Sequence, residues 1–252
     1  MRSGDTRRWL RGRVDRDRGL GLRLTLACLA AALVMIPFSL LLVVAKMPLN
    51  WLDAQVAGEL HAYALAHPDV TRVLIVWTDV FGPWPWRIAV VLFAAWLFWR
   101  GARRLAVWAV TTVTVGGVLG LVLKIIVARA RPHLPNPVAL APGDSFPSGH
   151  AVNATVGAGV VVLLVLPLLS RWGRRVAWAV GCFLALSVGY TRIALGVHWV
   201  SDVVAGIILG AAVVAATTAA FETWRREHGR RPSSPLAEGV EPESERVIHH
   251  RD

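Results

Sequence analysis

An all-α membrane protein is the fold class this sequence predicts, with six spanning helices and one short external helix. Three observations lead there. Of the 252 residues 55% are hydrophobic and only 17% are charged, against about 25% charged in a soluble domain. Leu24 to Ala45 runs without a charge, long enough at about 1.5 Å per residue to cross a bilayer. The charges that remain gather at the ends of apolar stretches rather than within them.

The elements follow in chain order. The first 23 residues carry eight arginines and form a basic segment ahead of span one, Leu24–Ala45. That apolar run exceeds the usual ~7–15 residues of a secretory signal, so a retained span is expected. From Asn50 to His67, Leu52, Val56, Leu60 and Tyr63 recur at helical spacing with Asp53 and Glu59 among the other positions. This predicts a short helix lying at the membrane interface or packed on the bundle, and it assigns no chemistry to either placement. Val73 to Trp86 is apolar but holds Asp79, Pro83 and Pro85. Span two is therefore set at Pro83–Trp99, with proline in its first turn and Arg87 snorkelling outward. Spans three to six follow at Leu105–Leu123, Ala151–Ser170, Val176–Thr191 and Val203–Phe221. Gly206 and Gly210 give span six a GxxxG spacing, which predicts close helix packing. Beyond Gly229 three prolines and mixed charge predict a disordered tail, in which His249-His250 reads as a solvated pair. The domains are thus residues 1–23, basic and cytoplasmic; 24–228, the membrane domain; and 229–252, the cytoplasmic tail.

Charge bookkeeping sets the orientation. With the amino terminus inside, the inner segments hold 20 of the 27 lysines and arginines, as cytoplasmic loops should. Both termini then face the cytoplasm. The net charge of +11 is thereby explained by a membrane surface, and no nucleic-acid partner is expected. Cys28 and Cys182 lie inside apolar stretches, so neither a disulfide framework nor a paired-cysteine metal site is predicted.

Four cations, Lys124, Arg129, Arg131 and Arg192, remain at the external ends of spans three and five. A lone cation at a helix centre costs about 2.5–3.5 kcal/mol on insertion scales, so a partner is needed. Lys124 and Arg131 are seven residues apart, which places both on one helix face before Pro132 stops span three. A shared anion would satisfy both; snorkelling to headgroups is the competing explanation. Pro147-Ser148-Gly149-His150 opens span four: Ser148 suits an N-cap, Gly149 admits close backbone approach, and exposed amides at a helix start favour phosphate. His150 is placed to protonate a departing oxygen. His198 and Asp202 form an i, i+4 pair at the start of span six, in which the carboxylate can fix one ring nitrogen and leave the other free as a nucleophile.

Taken together, Lys124 to Arg131-Pro132, Pro147-Ser148-Gly149-His150, and Arg192 to His198 to Asp202 resemble the motifs of the type 2 phosphatidic acid phosphatases, which share their site with vanadium haloperoxidases. That resemblance implies a phosphate cradle of Lys124, Arg131, Arg192, Ser148 and the Gly149 amide. It implies His198 as nucleophile, His150 as acid and Asp202 as the orienter of His198. The third motif of that family usually begins Ser-Arg, and here it is Thr191-Arg192. Arg129 matches no motif position and is expected to meet headgroups.

The expected activity is removal of phosphate from a lipid monophosphate or pyrophosphate at the extracytoplasmic face of a bacterial-type plasma membrane, through a phosphohistidine. Phosphatidic acid, phosphatidylglycerol phosphate and a polyprenyl pyrophosphate all remain open as substrates, with the polyprenyl carrier favoured. No cofactor or metal is expected, because Asp144 and Asp202 are the only acids between residues 80 and 221 and a two-metal site needs clustered carboxylates. Two alternatives keep the same residues: transfer of the phosphoryl group to another alcohol, and a non-catalytic anion-binding protein or transporter.

Overall fold

The computed structural model describes residues 49–243. The expected first span, the basic segment before it and the His249-His250 pair lie outside the described residues. Within them the chain is helical: α1 (Leu49–Ala66), α2 (Pro68–Val80), α3 (Pro83–Trp99), α4 (Arg103–Val127), α5 (Gly149–Val165), α6 (Arg171–Ala194), α7 (Val200–Glu227) and the short α8 (Pro235–Glu238). Five helical stretches among the described residues are long and apolar enough to cross a membrane, α2 and α3 counting as one. Large apolar side chains such as Leu92, Val118, Ile125, Ile126 and Phe183 stay exposed on their outer surfaces, as a hydrocarbon solvent requires.

Helix α5 is the axis of the bundle, packed by α3, α4, α6 and α7. Its sequence, rich in Ala, Gly and Val, permits this, since small residues let helix backbones approach closely without a water-driven force. The expected GxxxG contact is present. A Cβ on Gly206 would stand 2.8 Å from the Ser148 carbonyl oxygen, and one on Gly210 would stand 2.7 Å from the Thr155 side chain. The same approach lets the Ser148 N–H reach the Asp202 carbonyl at 3.0 Å, so a packing motif aligns the starts of α5 and α7.

Several expectations shift in physical detail. Span two keeps its bounds as α3, but Arg87 does not snorkel outward: its Nε donates to Asn153 Oδ1 on α5 at 3.1 Å and its guanidinium lies over Trp84. Span three runs past its expected end at Leu123 to Val127 but stops short of Arg131. Ala128 takes a left-handed conformation at φ 45°, which stops α4 before Arg131, so Lys124 and Arg131 do not share a helix face. The buried stripe of α1 is Asp53, Ala57, His61 and Ala64, while Leu52 and Tyr63 are exposed. α1 packs against α2, α6 and α7, rotated from its apolar pattern because Asp53 and His61 find polar partners inside.

The expected disordered tail is ordered as far as Glu243. Arg225, fully buried, donates to Glu222 Oε2 at 2.6 Å and to both Glu243 oxygens at 2.7 Å. The Trp178 indole donates to the Leu236 carbonyl at 3.1 Å, and Val240 joins the core. Charges that read as solvated in sequence are here paired with one another.

Candidate active site

All three motifs meet at one end of the bundle, where α4 and α6 finish and α5 and α7 begin. The turn between α6 and α7 sets the nucleophile candidate. Gly196 adopts φ 68°, and the Val197 and His198 N–H groups both donate to the Arg192 carbonyl at 3.2 Å. This holds His198 at 2% exposure. Asp202, in the first turn of α7, accepts from the Trp199 backbone N–H at 3.0 Å, one half of a capping box.

The imidazole is bracketed on both nitrogens. Arg131 Nη1 lies 3.1 Å from His198 Nε2, and a guanidinium can only donate, so Nε2 carries the lone pair and Nδ1 the proton. On the other side Nδ1 stands 3.4 Å from Ser145 Oγ and 3.5 Å from Asp202 Oδ2. Ser145 Oγ itself donates to Asp202 Oδ2, so the expected His198–Asp202 pair is a three-membered cluster with a serine wedged into it. Burial, reinforced by the fields of Arg131 and Arg192 and opposed by Asp202, takes the His198 pKa down to about 4. The ring is therefore neutral near pH 7.

Lys124 and Arg131 converge by a route other than the expected shared face. Past Ala128 the chain runs out and returns through residues 142–145, and both cations donate to the Asp144 carbonyl, Arg131 at 3.1 Å. Arg131 also donates to the carbonyls of Pro142, Gly143 and Val197, so it ties that returning loop to the His198 turn. Burial draws the Arg131 pKa down, with Asp202 and Asp144 opposing.

Arg192, 6% exposed, donates Nη1 to Thr78 Oγ1 at 3.2 Å, and its buried Nε has no protein partner. Ser148 occupies the N-cap position of α5, yet its hydroxyl caps nothing and is buried without a partner. Unsatisfied buried donors are uncommon, and both of these stand at the point where the motifs meet. Open space lies beside the Gly149 Cα. His150, in the first turn of α5, faces Gly82 and lies within the fields of Arg192, Arg131 and Lys124. Thr191 turns its hydroxyl back onto the Val188 carbonyl at 2.6 Å, so it adds no contact at the site.

The sequence reading missed Ser145, Thr78, Asp53 and Arg129. Arg129 does not meet headgroups: it donates to Asp202 Oδ1 at 2.7 Å and to Asp53 Oδ2 at 2.9 Å. An unexplained cation and an unexplained acid were both visible in the sequence, but no spacing rule links residues 76 positions apart. Among the described residues no group of three or more His, Cys, Asp or Glu side chains converges to hold a metal ion.

Residues 105–226 match the model of the PAP2 superfamily. Relatives include an undecaprenyl-diphosphatase of Sulfolobus acidocaldarius, 38% identical over 45% of this chain and 54% of that protein. A phosphatidylglycerophosphatase B of Bacillus subtilis is 33% identical over 48% of this chain and 60% of that protein. A lipid A 1-phosphatase of Rhizobium etli is 35% identical over 46% and 48% respectively. The chain thus spans roughly half the length of the curated relatives it matches. The crystal structure of a transmembrane PAP2-type phosphatidylglycerolphosphate phosphatase from Bacillus subtilis superimposes with a TM-score of 0.63 at 23% identity, over 75% of this chain and 94% of that one. It shares the fold.

Proposed function

We propose that the chain, whose residues 105–226 match the PAP2 superfamily model, is an integral-membrane lipid phosphatase of that superfamily working through a phosphohistidine on His198. The observation that carries this reading is the neutral, buried His198, whose Nε2 lone pair points toward Arg131 while Ser145 and Asp202 hold Nδ1. A histidine kept only for packing has no need of two arginines beside it.

In the proposed reaction the Nε2 lone pair attacks the terminal phosphorus, and its bond to the leaving oxygen, the alcohol oxygen of a monophosphate or the bridging oxygen of a diphosphate, breaks as the N–P bond forms. Lys124, Arg131, Arg192, the Ser148 hydroxyl and the Gly149 amide bind the equatorial oxygens. Phosphoryl transfer depends mainly on positioning and on balancing the spread negative charge. Two of these donors, Arg192 Nε and Ser148 Oγ, are buried and unspent within the protein, which suits them to the task. His150 gives its proton to the leaving oxygen and then takes one from the water that cleaves the phosphohistidine. Asp202 balances the positive charge that develops on the His198 ring. No step calls for a metal.

Substrates are lipid phosphates, since the site lies at the end of membrane-crossing helices. The names of relatives point to polyprenyl diphosphates, phosphatidylglycerophosphate and lipid A phosphates, and a polyprenyl diphosphate is the preferred substrate. The arginine-rich opposite end, with Arg100, Arg103, Arg104, Arg171, Arg174 and Arg175, supports a site facing the extracytoplasmic side of a plasma membrane. Residues 24–228 form the single membrane domain.

Purified protein is expected to release phosphate from at least one lipid of that panel, at a rate unchanged by chelators and inhibited by vanadate, which mimics the trigonal-bipyramidal transition state. An absolute need for added magnesium, or no release from any of the lipids, would contradict the reading. The pH dependence has a definite sign. His198 attacks only when neutral and its folded pKa is about 4. The acid limb of kcat/KM, corrected for ionisation of the substrate, is therefore expected near pH 4, activity being kept as pH falls through the ordinary histidine range and lost only through about pH 4. A limb at an ordinary histidine value would show that the burial is not maintained in the working enzyme.

A further inference from the structure

Arg129 lies outside all three motifs, yet it is the hub of a buried ionic cluster. Nη1 donates to Asp202 Oδ1 and Ser201 Oγ, both at 2.7 Å, and Nη2 donates to Asp53 Oδ2 at 2.9 Å. The guanidinium sits over the Trp199 ring, 5.5 Å from its centroid, and the Trp199 indole in turn donates to the Ala130 carbonyl at 3.0 Å. Asp53 comes from α1 and does a second job: it accepts from the Ser201 backbone N–H at 3.0 Å and from the Ser201 hydroxyl. An external helix thereby caps the start of α7 in trans, one residue from Asp202.

The two oxygens of Asp202 are divided between distinct tasks. Oδ2 faces Ser145, the Trp199 amide and His198, while Oδ1 is taken by Arg129. A carboxylate pinned on both oxygens cannot rotate about its terminal bond. Asp53 and Asp202 are 3% and 0% exposed, and two buried anions this close are tolerable only with a cation between them.

We infer that Arg129, anchored by Asp53 of α1, is a positioning residue that fixes Asp202 and through it the His198 imidazole. The inference rests on the phosphatase reading and deepens it. α1 then belongs to the support of the site, although it contributes nothing that touches phosphate, and the order of coupling is Asp53, Arg129, Asp202, Ser145 and His198.

The test uses the full chain in detergent with the variants Arg129→Ala, Arg129→Lys and Asp53→Asn. Arg129→Ala is expected to lower kcat about ten- to a hundredfold, the scale seen when the outer partner that orients a metal-ligating histidine is lost, with KM little changed. It is also expected to move the acid limb of kcat/KM to higher pH. The groups facing His198 are Asp202, Ser145, Arg131, Arg192 and His150. Of these only the field of Asp202 is altered when Arg129 is gone, and an uncompensated carboxylate raises the proton affinity of the ring. Arg129→Lys is expected to restore the limb and part of kcat. Asp53→Asn lowers kcat by less and leaves the limb in place, since Arg129 still neutralises Asp202. A purely structural role would lower the folded fraction without moving the limb.

Unchanged kcat and limb in Arg129→Ala, or a loss confined to KM, would overturn the inference. Should Arg129→Ala fail to fold, wild-type kcat in both Arg129→Lys and Asp53→Asn would overturn it equally. Failure of the underlying reading is distinguishable, because it shows in the wild type as neither phosphate release nor phosphohistidine, and then both fall together.

Discussion

Replacing His198 with alanine is expected to reduce phosphate release by about four orders of magnitude or more, the scale seen when a covalent nucleophile in a catalytic triad is removed. The expectation follows from the geometry around Nε2. His198 alone at the site has one ring nitrogen held by Ser145 and Asp202 while the other carries a lone pair, on a ring neutral near pH 7 that Arg131 and Arg192 flank. Ser145 Oγ is spent on Asp202, and the Ser148 hydroxyl has no base within hydrogen-bond reach among its described contacts. Truncation also strips a hydrogen-bond partner from Arg131 and Ser145, at about 1–3 kcal/mol. Tm and elution volume in detergent should therefore be read beside activity. A folded variant that retains turnover would remove His198 from the mechanism.

The second large effect is expected at Arg192. Alanine there should cost about a hundred- to a thousandfold in kcat, comparable with loss of one fixed donor to a developing anion. Vanadate affinity should fall in parallel, since the same contact binds the transition-state mimic. Arg192 is the best-placed cation for this test because it is buried with Nε unspent and only Thr78 on Nη1. Arg131 instead organises four carbonyls and would fail for structural reasons as well. Arg192→Lys keeps the charge without the planar fork and should recover only part of the loss. Equal rates in wild type and Arg192→Ala would place the phosphate elsewhere.

Much of this site is legible in sequence because motif spacing and membrane topology are both local properties. The i, i+4 relation of His198 and Asp202 survives at the start of α7, and Gly206 and Gly210 make the close contact their spacing implies. The failures come where tertiary contacts override a one-dimensional pattern. The seven-residue interval from Lys124 to Arg131 looks helical, but Ala128 ends the helix, and the two cations meet through the Asp144 carbonyl instead. The apolar positions of α1 predict one buried face, yet the stripe it buries begins with Asp53, whose partner lies 76 residues away. Ser145 sits just before a recognised motif with nothing in its neighbours to mark it. Composition beyond Gly229 predicts disorder because pairing between Arg225 and Glu243 is not visible in it.

The central claim is that phosphate passes through His198. The most direct measurement is to incubate the purified protein with lipid labelled in the transferred phosphoryl group, quench in alkali, where phosphohistidine survives, and map the label by peptide mass spectrometry. The account predicts label on His198 at Nε2, absent from the His198→Ala protein and discharged by water as free phosphate. Full turnover with no labelled histidine, or label on any other residue, would contradict it.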